Sequence, residues 1–213
     1  INGFTVPLSL SPRSVWDFAS HPRWSLDTLR HGVPTLKNFS AYSAAGGGGV
    51  AALSTWINRE LDPGLDWDDM AAIRDEWKGK LLIKGVMTPE DALEAQRIGA
   101  DGIIVSNHGG RQLDGAPSSI RALHAISSQL RGELPLFLDS GIRRGSDVVK
   151  ALCLGATAVC VGRATLYGAA AGGQAGIART LDVINEEIDR TLALIGVDSL
   201  DGLDRSFLEM PTQ

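Results

Sequence analysis

Short apolar runs alternate with amphipathic stretches along the chain from about residue 80 onward. Four of these runs are rich in branched aliphatic residues and are bounded by glycine, proline or polar residues, as buried strands are. They span Leu81–Val86, Gly102–Ser106, Pro135–Asp139 and Ala158–Gly162. Strands that alternate with helices pair in parallel and are joined by crossover helices. The pattern therefore predicts an α/β fold with a parallel sheet.

Helical periodicity occupies the stretches beside these strands. Thr88 suits an N-cap, Pro89 suits the first helical turn, and Glu90 and Asp91 suit the positive end of the helix dipole. The predicted helices span Asp66–Lys78, begin at Thr88, and span 117–131, 143–154 and Ile177–Ile195.

Residues 1–65 carry no clear strand pattern. The run Ala44–Gly49 ends in four consecutive glycines, which indicate a flexible joint. We therefore divide the chain into 1–65, a long loop and linker, and 66–213, which carries the four strand–helix units. Long loops within α/β enzymes are usually functional.

Composition narrows the classes of function. The net charge of −5 gives the chain no general attraction to nucleic acid. Cys153 and Cys160 lie inside apolar runs and indicate small buried residues, so we expect neither a disulfide nor a metal site. Cysteines of this kind indicate a reducing, cytoplasmic compartment. No run of about 18 apolar residues is present, so we expect no membrane-spanning helix.

All four predicted strands have polar residues at their carboxyl ends, where parallel α/β folds bind their ligands. These residues are Lys84, the run from Ser106 to Asp114, the run from Asp139 to Gly145, and the pair Gly162 and Arg163. Four units could build a doubly wound sheet, but this placement favours a barrel. We predict the C-terminal half, strands five to eight, of a (β/α)8 TIM barrel, preceded by a long loop.

The last two strands carry the pattern of a phosphate site. Gly141 and Gly162 allow close approach of the backbone to a ligand, and Arg143 and Arg163 stand beside them at expected helix starts. The alternative is that both arginines form surface ion pairs, which is the interpretation we adopt for Arg144.

The second strand is followed by His108 and Arg111, joined through two glycines. The arginine suits bidentate capture of a carboxylate, and the histidine suits a general base beside it. Lys84 lies within an apolar strand and is interpreted either as a cation beside a cofactor or as half of a structural ion pair.

Three motifs carry a resemblance to a known family. They are SNHGGRQLD from Ser106, DSGIRRG from Asp139 and GRATLYG from Gly162. The chain resembles, over nearly its whole length, the FMN-dependent enzymes that oxidise (S)-2-hydroxy acids to 2-oxo acids, such as glycolate oxidase and lactate dehydrogenase. The resemblance implies an oxidoreductase whose cofactor is FMN.

The resemblance also implies a role for each residue of the motifs. Lys84 would stabilise reduced flavin and Ser106 would hydrogen-bond the flavin ring. His108 would take a proton from the substrate, and Arg111 would hold its carboxylate. Asp139 would meet the ribityl chain. The phosphate would be surrounded by Ser140, Gly141, Arg143, Gly162 and Arg163.

Within this family, His21–Asp27 and Leu36–Phe39 are most similar to the mandelate dehydrogenases. The resemblance implies a mandelate-like substrate, with L-lactate second, and a homotetramer. It also implies peripheral contact of residues 7–39 with the inner face of the cell membrane. The alternative for that segment is a loop that packs on its own barrel or on a neighbouring subunit.

Two further classes of function remain open. One is another phosphate-binding barrel, such as an FMN isomerase or an IMP dehydrogenase type, which the His-Gly-Gly-Arg spacing disfavours. The other is a non-catalytic phosphate-binding half-barrel. The chain begins at Ile1 without methionine and lacks the family's first four strands, so we expect a preceding segment that supplies them. The electron acceptor stays open.

Overall fold

The computed structural model describes residues 11–32 and 64–209. The chain divides into two compact units, Asn2–Leu65 and Asp66–Gln213. The described part of the first unit forms two helices, α1 (Pro12–Ser20) and α2 (Pro22–His31). We predicted a loop here. The difference arises because Pro12 and Pro22 each suit the first turn of a helix. The prediction from hydrophobic periodicity did not take these prolines into account.

The described part of the second unit alternates helices and strands. In chain order, its elements are α3 (Trp67–Glu76), β1 (Leu82–Val86), α4 (Pro89–Arg97), β2 (Gly102–Val105), α5 (Ser119–Leu130), β3 (Leu136–Asp139), α6 (Gly145–Cys153), β4 (Ala158–Cys160) and α7 (Arg163–Ile195). The strands form one parallel sheet in the order β1-β2-β3-β4. The predicted α/β fold with a parallel sheet is confirmed.

The two faces of this sheet differ in burial. Ile103 and Val105 of β2 and Leu136 and Leu138 of β3 are buried, and they belong to the main hydrophobic core with residues of α4, α5 and α6. Residues at alternate positions point to the other face. Among these, Lys84, in the middle of β1, is 49% exposed, so the burial that its apolar neighbours in sequence suggest is not observed. The open face carries the polar side chains of the strand ends.

Strand β1 contains an irregularity next to its lysine. Lys84 pairs with Ile104 of β2 while Val86 pairs with Val105, so Gly85 is an extra residue in the ladder. Such a β-bulge bends the strand and re-aims the side chains beside it. Gly85 has φ +102°, a conformation that suits glycine.

Helix α7 begins earlier than the predicted Ile177 and is broken inside. Gly172 and Gly173 have non-helical backbone angles, with φ +57° at Gly173. The two halves of α7 then pack so closely that a Cβ on Gly176 would lie 2.0 Å from the carbonyl oxygen of Gly168. Glycine is therefore required at this crossing.

Candidate functional site

A cavity of about 590 Å³ lies at the carboxyl end of the sheet. Its lining includes nine of the ten residues that the sequence singled out, contributed by all four strands and the loops after them. They are Lys84, His108, Arg111, Asp139, Ser140, Gly141, Arg143, Gly162 and Arg163. The tenth, Ser106, is only 1% exposed and is hydrogen-bonded to three of the lining residues, Asp139, His108 and Ser140.

Asp139 connects β1, β2 and β3 at the wall of the cavity. Its Oδ2 atom lies 3.4 Å from the Nζ atom of Lys84 and accepts hydrogen bonds from the hydroxyls of Ser106 at 2.5 Å and Ser140 at 3.3 Å. Burial by itself raises the pKa of Asp139. The hydrogen bond from Ser106 and the charge of Lys84 outweigh that effect and hold this pKa below its ordinary value. Asp139 is therefore a carboxylate that forms an ion pair with Lys84 at the cavity wall.

The loop after β2 adopts an unusual backbone conformation. His108, Gly109 and Gly110 have φ values of +54°, +70° and +71° in succession. Three side chains hold this run, because the N–H groups donate to Ser106 Oγ at 3.0 Å, Ser140 Oγ at 2.9 Å and Asn107 Oδ1 at 3.1 Å respectively. A left-handed histidine is strained and persists only where the surrounding structure fixes it. The site therefore fixes the backbone of His108 through neighbouring strands.

Arg111 follows this turn and brings a guanidinium to the same cavity as His108. Its side chain forms no ion pair within the ranges 11–32 and 64–209. The guanidinium is thus available to a ligand anion, and it stands three residues from an imidazole. This pairing is the arrangement that the His-Gly-Gly-Arg spacing predicted.

The end of the cavity next to the starts of α6 and α7 is built by the loops after β3 and β4. A Cβ added to Gly141 or Gly162 would meet no heavy atom within 4 Å, so both glycines leave open space. Arg163 donates from Nη2 to the carbonyl of Gly109 at 2.9 Å, which ties this end to the histidine loop. Arg143 completes the positive lining.

The two helix starts at this end differ in how their N–H groups are used. At α6, the N–H groups of Arg143 and Arg144 both donate to Asp147 Oδ2 at 3.0 Å. At α7, which begins after Gly162, no side chain among the described residues provides a cap. The open N–H groups and the dipole of α7 therefore favour an anion there.

Arg144 points away from the cavity and forms an ion pair with Glu187 of α7 at 2.6 Å. The interpretation of Arg144 as a surface ion-pair partner is confirmed. Cys153 is buried, as the sequence indicated. Cys160 is free but only half-buried, and it lines the cavity instead of the core.

The lining also includes residues to which sequence reasoning gave no role in the site, among them Cys160 and Tyr167. The position of each residue in the sequence could have identified it. Cys160 is the last residue of β4 and so shares the carboxyl edge with Lys84 and Asp139. Tyr167 follows Arg163 by four residues and therefore lies on the same face of α7, one turn later.

Comparison with known proteins gives concordant results. The family model described as FMN-dependent dehydrogenase matches residues 1–210. The (S)-mandelate dehydrogenase of Pseudomonas putida is 46% identical over 208 residues, covering 98% of this chain and 52% of that protein. The L-lactate dehydrogenase of Ectopseudomonas mendocina (strain ymp) is 48% identical over 189 residues, covering 88% of this chain and 50% of that protein. The chain spans about half the length of the curated relatives it matches.

Solved structures agree. A crystal structure of the monotopic membrane protein (S)-mandelate dehydrogenase aligns with a TM-score of 0.89 at 43% identity, covering 98% of this chain and 57% of that chain. Mandelate oxidase with (S)-4-hydroxymandelic acid aligns with a TM-score of 0.65 at 41% identity, covering 72% of this chain and 43% of that chain. The resemblance read from the motifs is confirmed, and with it FMN as the family's cofactor: the chain belongs to the FMN-dependent dehydrogenase family.

Proposed function

We propose that the complete protein containing this chain oxidises an (S)-2-hydroxy acid to the corresponding 2-oxo acid with FMN. The observation that carries this proposal is one cavity whose lining includes His108 and Arg111 together with Arg143 and Arg163. Its volume of about 590 Å³ is within the range of cofactor sites. A non-catalytic half-barrel would not need a fixed imidazole and a guanidinium without an ion pair in the described residues.

The lining fits FMN at both the phosphate and the ring end. The open space beside Gly141 and Gly162, the start of α7 and the two arginines would hold the phosphate, and Ser140 would support it. Asp139 would meet the ribityl chain. Lys84 and Ser106 would lie at the flavin ring. When bound, FMN supplies the acceptor for the two electrons that leave the hydroxy acid.

The chain's own residues then bind and deprotonate the substrate. Arg111 holds the carboxylate with two parallel hydrogen bonds, which fixes the carbinol carbon next to the loop. His108 accepts one of the two protons that the alcohol loses as it becomes a ketone. Lys84, whose ammonium group lies 3.4 Å from Asp139, would favour the extra negative charge of the reduced cofactor.

An aromatic hydroxy acid such as mandelate is the favoured substrate. The mandelate dehydrogenase of P. putida matches nearly the whole chain, and a mandelate oxidase structure contains (S)-4-hydroxymandelic acid. L-Lactate is the second candidate, because the lactate dehydrogenase relative is 48% identical. The ratio of kcat/KM for the two acids decides between them.

We also propose that residues 66–213 are βα units five to eight of a TIM barrel and that residues 1–65 lead into them. The strand order follows the chain order without the reversal of a doubly wound sheet, which supports consecutive barrel strands. Strands one to four would come from the rest of the protein. The assembled protein would be a homotetramer.

Peripheral membrane contact through residues 7–39 completes the proposal. The described part of that segment exposes Trp16, Trp24 and Leu29, and a monotopic membrane protein is among the structural neighbours. None of the helices in the described ranges is long and apolar enough to cross a bilayer. In this proposal the protein lies on the cytoplasmic face of the cell membrane.

Rapid-mixing measurement of flavin reduction in the complete, FMN-loaded protein tests the function. His108→Ala should retain FMN and slow reduction by about 10²–10⁴-fold, the range for loss of a general base. Arg111→Lys should mainly raise KM, since lysine cannot form the bidentate pair. Arg144→Lys is the matched control, because that arginine pairs with Glu187 away from the cavity.

Three outcomes would count against the proposal. The proposed activity would be refuted if the purified protein contained no flavin, or if neither mandelate nor lactate reduced the bound flavin. Near-normal flavin reduction by the His108→Ala variant would refute the assignment of His108 as the general base. A preference for lactate over mandelate would reverse the order of the substrates and leave the reaction class in place.

A further inference from the structure

The bulge in β1 lies directly against the histidine loop. A Cβ built on Gly85 would lie 3.1 Å from Nε2 and 3.6 Å from Cε1 of His108, and no other atom comes within 4 Å of it. Distances of this kind are shorter than ordinary carbon–nitrogen contact. The absence of a side chain at Gly85 is therefore what leaves room for one edge of the imidazole.

The imidazole has little freedom to move away from such a group. The backbone of His108 is held by its N–H bond to Ser106, and the next residue is held by Ser140 and by Arg163. A methyl group at position 85 would therefore turn the ring about its side-chain torsions instead of shifting the loop. The edge that moves carries Nε2.

We propose that Gly85 is a positioning residue for His108, and that the β-bulge sets the orientation of the imidazole toward the substrate. The inference rests on the proposed function, in which His108 accepts the substrate proton. It adds that the strand carrying Lys84 acts on the acid–base group as well as on the flavin. The strand that contains the bulge would thus contribute both to proton transfer, through His108, and to flavin reduction, through Lys84.

The alternative is that Gly85 is needed only for its backbone conformation. The chain offers a matched control for that role. Gly155 has φ +96°, and a Cβ there would lie 3.2 Å from the Cβ of Ser127, and neither residue belongs to the cavity lining. Gly155→Ala therefore imposes similar backbone strain and similar crowding without touching His108.

The test compares Gly85→Ala with Gly155→Ala in the complete FMN-loaded protein, with rates normalised to bound flavin. We expect flavin reduction by the hydroxy acid to slow by about tenfold in Gly85→Ala, because displacements of a fraction of an ångström at a reacting group are costly. KM should stay near that of the parent, since Arg111 is untouched. Gly155→Ala should reduce flavin within about twofold of the parent, as substitutions outside the site do.

A double-mutant cycle separates positioning from general damage. If Gly85 acts through His108, adding Gly85→Ala to His108→Ala should cost no further rate, since the ring it displaces is gone. An additional tenfold loss in that background would overturn the inference. So would equal rates for Gly85→Ala and Gly155→Ala, or loss of flavin binding in Gly85→Ala alone.

The same set of variants keeps the two proposals distinguishable. Unimpaired reduction by His108→Ala would refute the assigned base and the inference together. A strong effect of His108→Ala with none from Gly85→Ala would refute the inference alone.

Discussion

At the scale of single residues, the site depends on conformations that side chains rarely adopt. His108 and Ser140 both have positive φ, and each is held by hydrogen bonds from a neighbouring strand or loop. Ser140 accepts from the N–H of Gly109 through its hydroxyl, while its own carbonyl accepts from Ser119. Strain of this kind clusters where a group must be aimed at a ligand.

A second residue-scale feature lies away from the cavity, where Asp101 precedes β2. Its carboxylate accepts hydrogen bonds from Arg74 at 3.0 Å, Lys80 at 2.7 Å and the N–H of Leu81 at 2.9 Å. The hydrogen bond from Lys80, with that from Leu81, lowers the pKa of Asp101 from 3.8 to about 2. This carboxylate ties α3 and the start of β1 to β2.

We predict that this carboxylate contributes to acid stability. Between pH 3.8 and about 2 the unfolded chain binds a proton at Asp101 that the folded chain does not. The stabilisation is therefore complete above the unfolded pKa and is lost as the pH falls through the folded one. Asp101→Asn should lower the thermal midpoint above pH 4, with the difference from the parent closing toward pH 2.

Thermal melts of the complete protein across this pH range measure the effect. Asp198→Asn is the control, because Asp198 is exposed and forms no ion pair within the described residues. A difference between Asp101→Asn and the parent that stays constant down to pH 2 would contradict the assignment.

At the scale of elements, α1 and α2 form an amphipathic pair. Phe18 of α1 stacks on Trp24 of α2 with ring centroids 5.4 Å apart, while Trp16 remains 73% exposed. Arg13, Arg23 and Arg30 add positive charge to the same two helices. Exposed aromatic and aliphatic residues beside basic ones are typical of helices that lie in a membrane interface.

We predict that the complete protein binds vesicles containing anionic lipid and that Leu29→Asp together with Trp16→Asp releases most of it. Burial of these side chains in the interface would be lost, and the added charges would repel the lipid. Leu194→Asp is the matched control, because Leu29 and Leu194 are equally exposed at 81%. Co-sedimentation measures the bound fraction.

Equal binding by the parent and the double variant would favour the alternative in which this segment packs on protein. Release by Leu194→Asp as well would show that added negative charge, and not the helix pair, governs binding.

At the scale of the whole molecule, the sheet of the described residues has two unpaired edges. The sheet of the described residues ends at β1 and β4, and its inner face carries the residues that line the cavity. Unpaired strand edges pair with other chains and promote aggregation. Four further strands would cover both edges and the open side of the cavity.

We predict that residues 1–213 expressed alone give insoluble or flavin-free protein. Co-expression with a segment that carries strands one to four should restore solubility and the yellow colour of bound FMN, because barrel closure removes the edges. Absorbance of the soluble fraction measures the result. A soluble, monomeric and FMN-loaded product of residues 1–213 would refute the half-barrel proposal.

The sequence by itself determined the type and order of the main elements in 66–213. The runs that we predicted as strands contain β1 to β4, because short branched aliphatic runs bounded by glycine and proline form strands in any context of this kind. It also identified residues at the strand ends, nine of which line the cavity, because parallel strands bring their carboxyl ends to one edge.

Only the tertiary structure decided how those residues are aimed. The extra residue at Gly85 appears only when β1 is paired with β2, since a bulge is defined by its partner strand. The left-handed backbone of His108 depends on Ser140, 32 positions away, which binds the next N–H group. The split of α7 depends on the close contact of Gly168 with Gly176. These features arise from contacts between distant segments, so they cannot be predicted from the local pattern that predicts strands and helices.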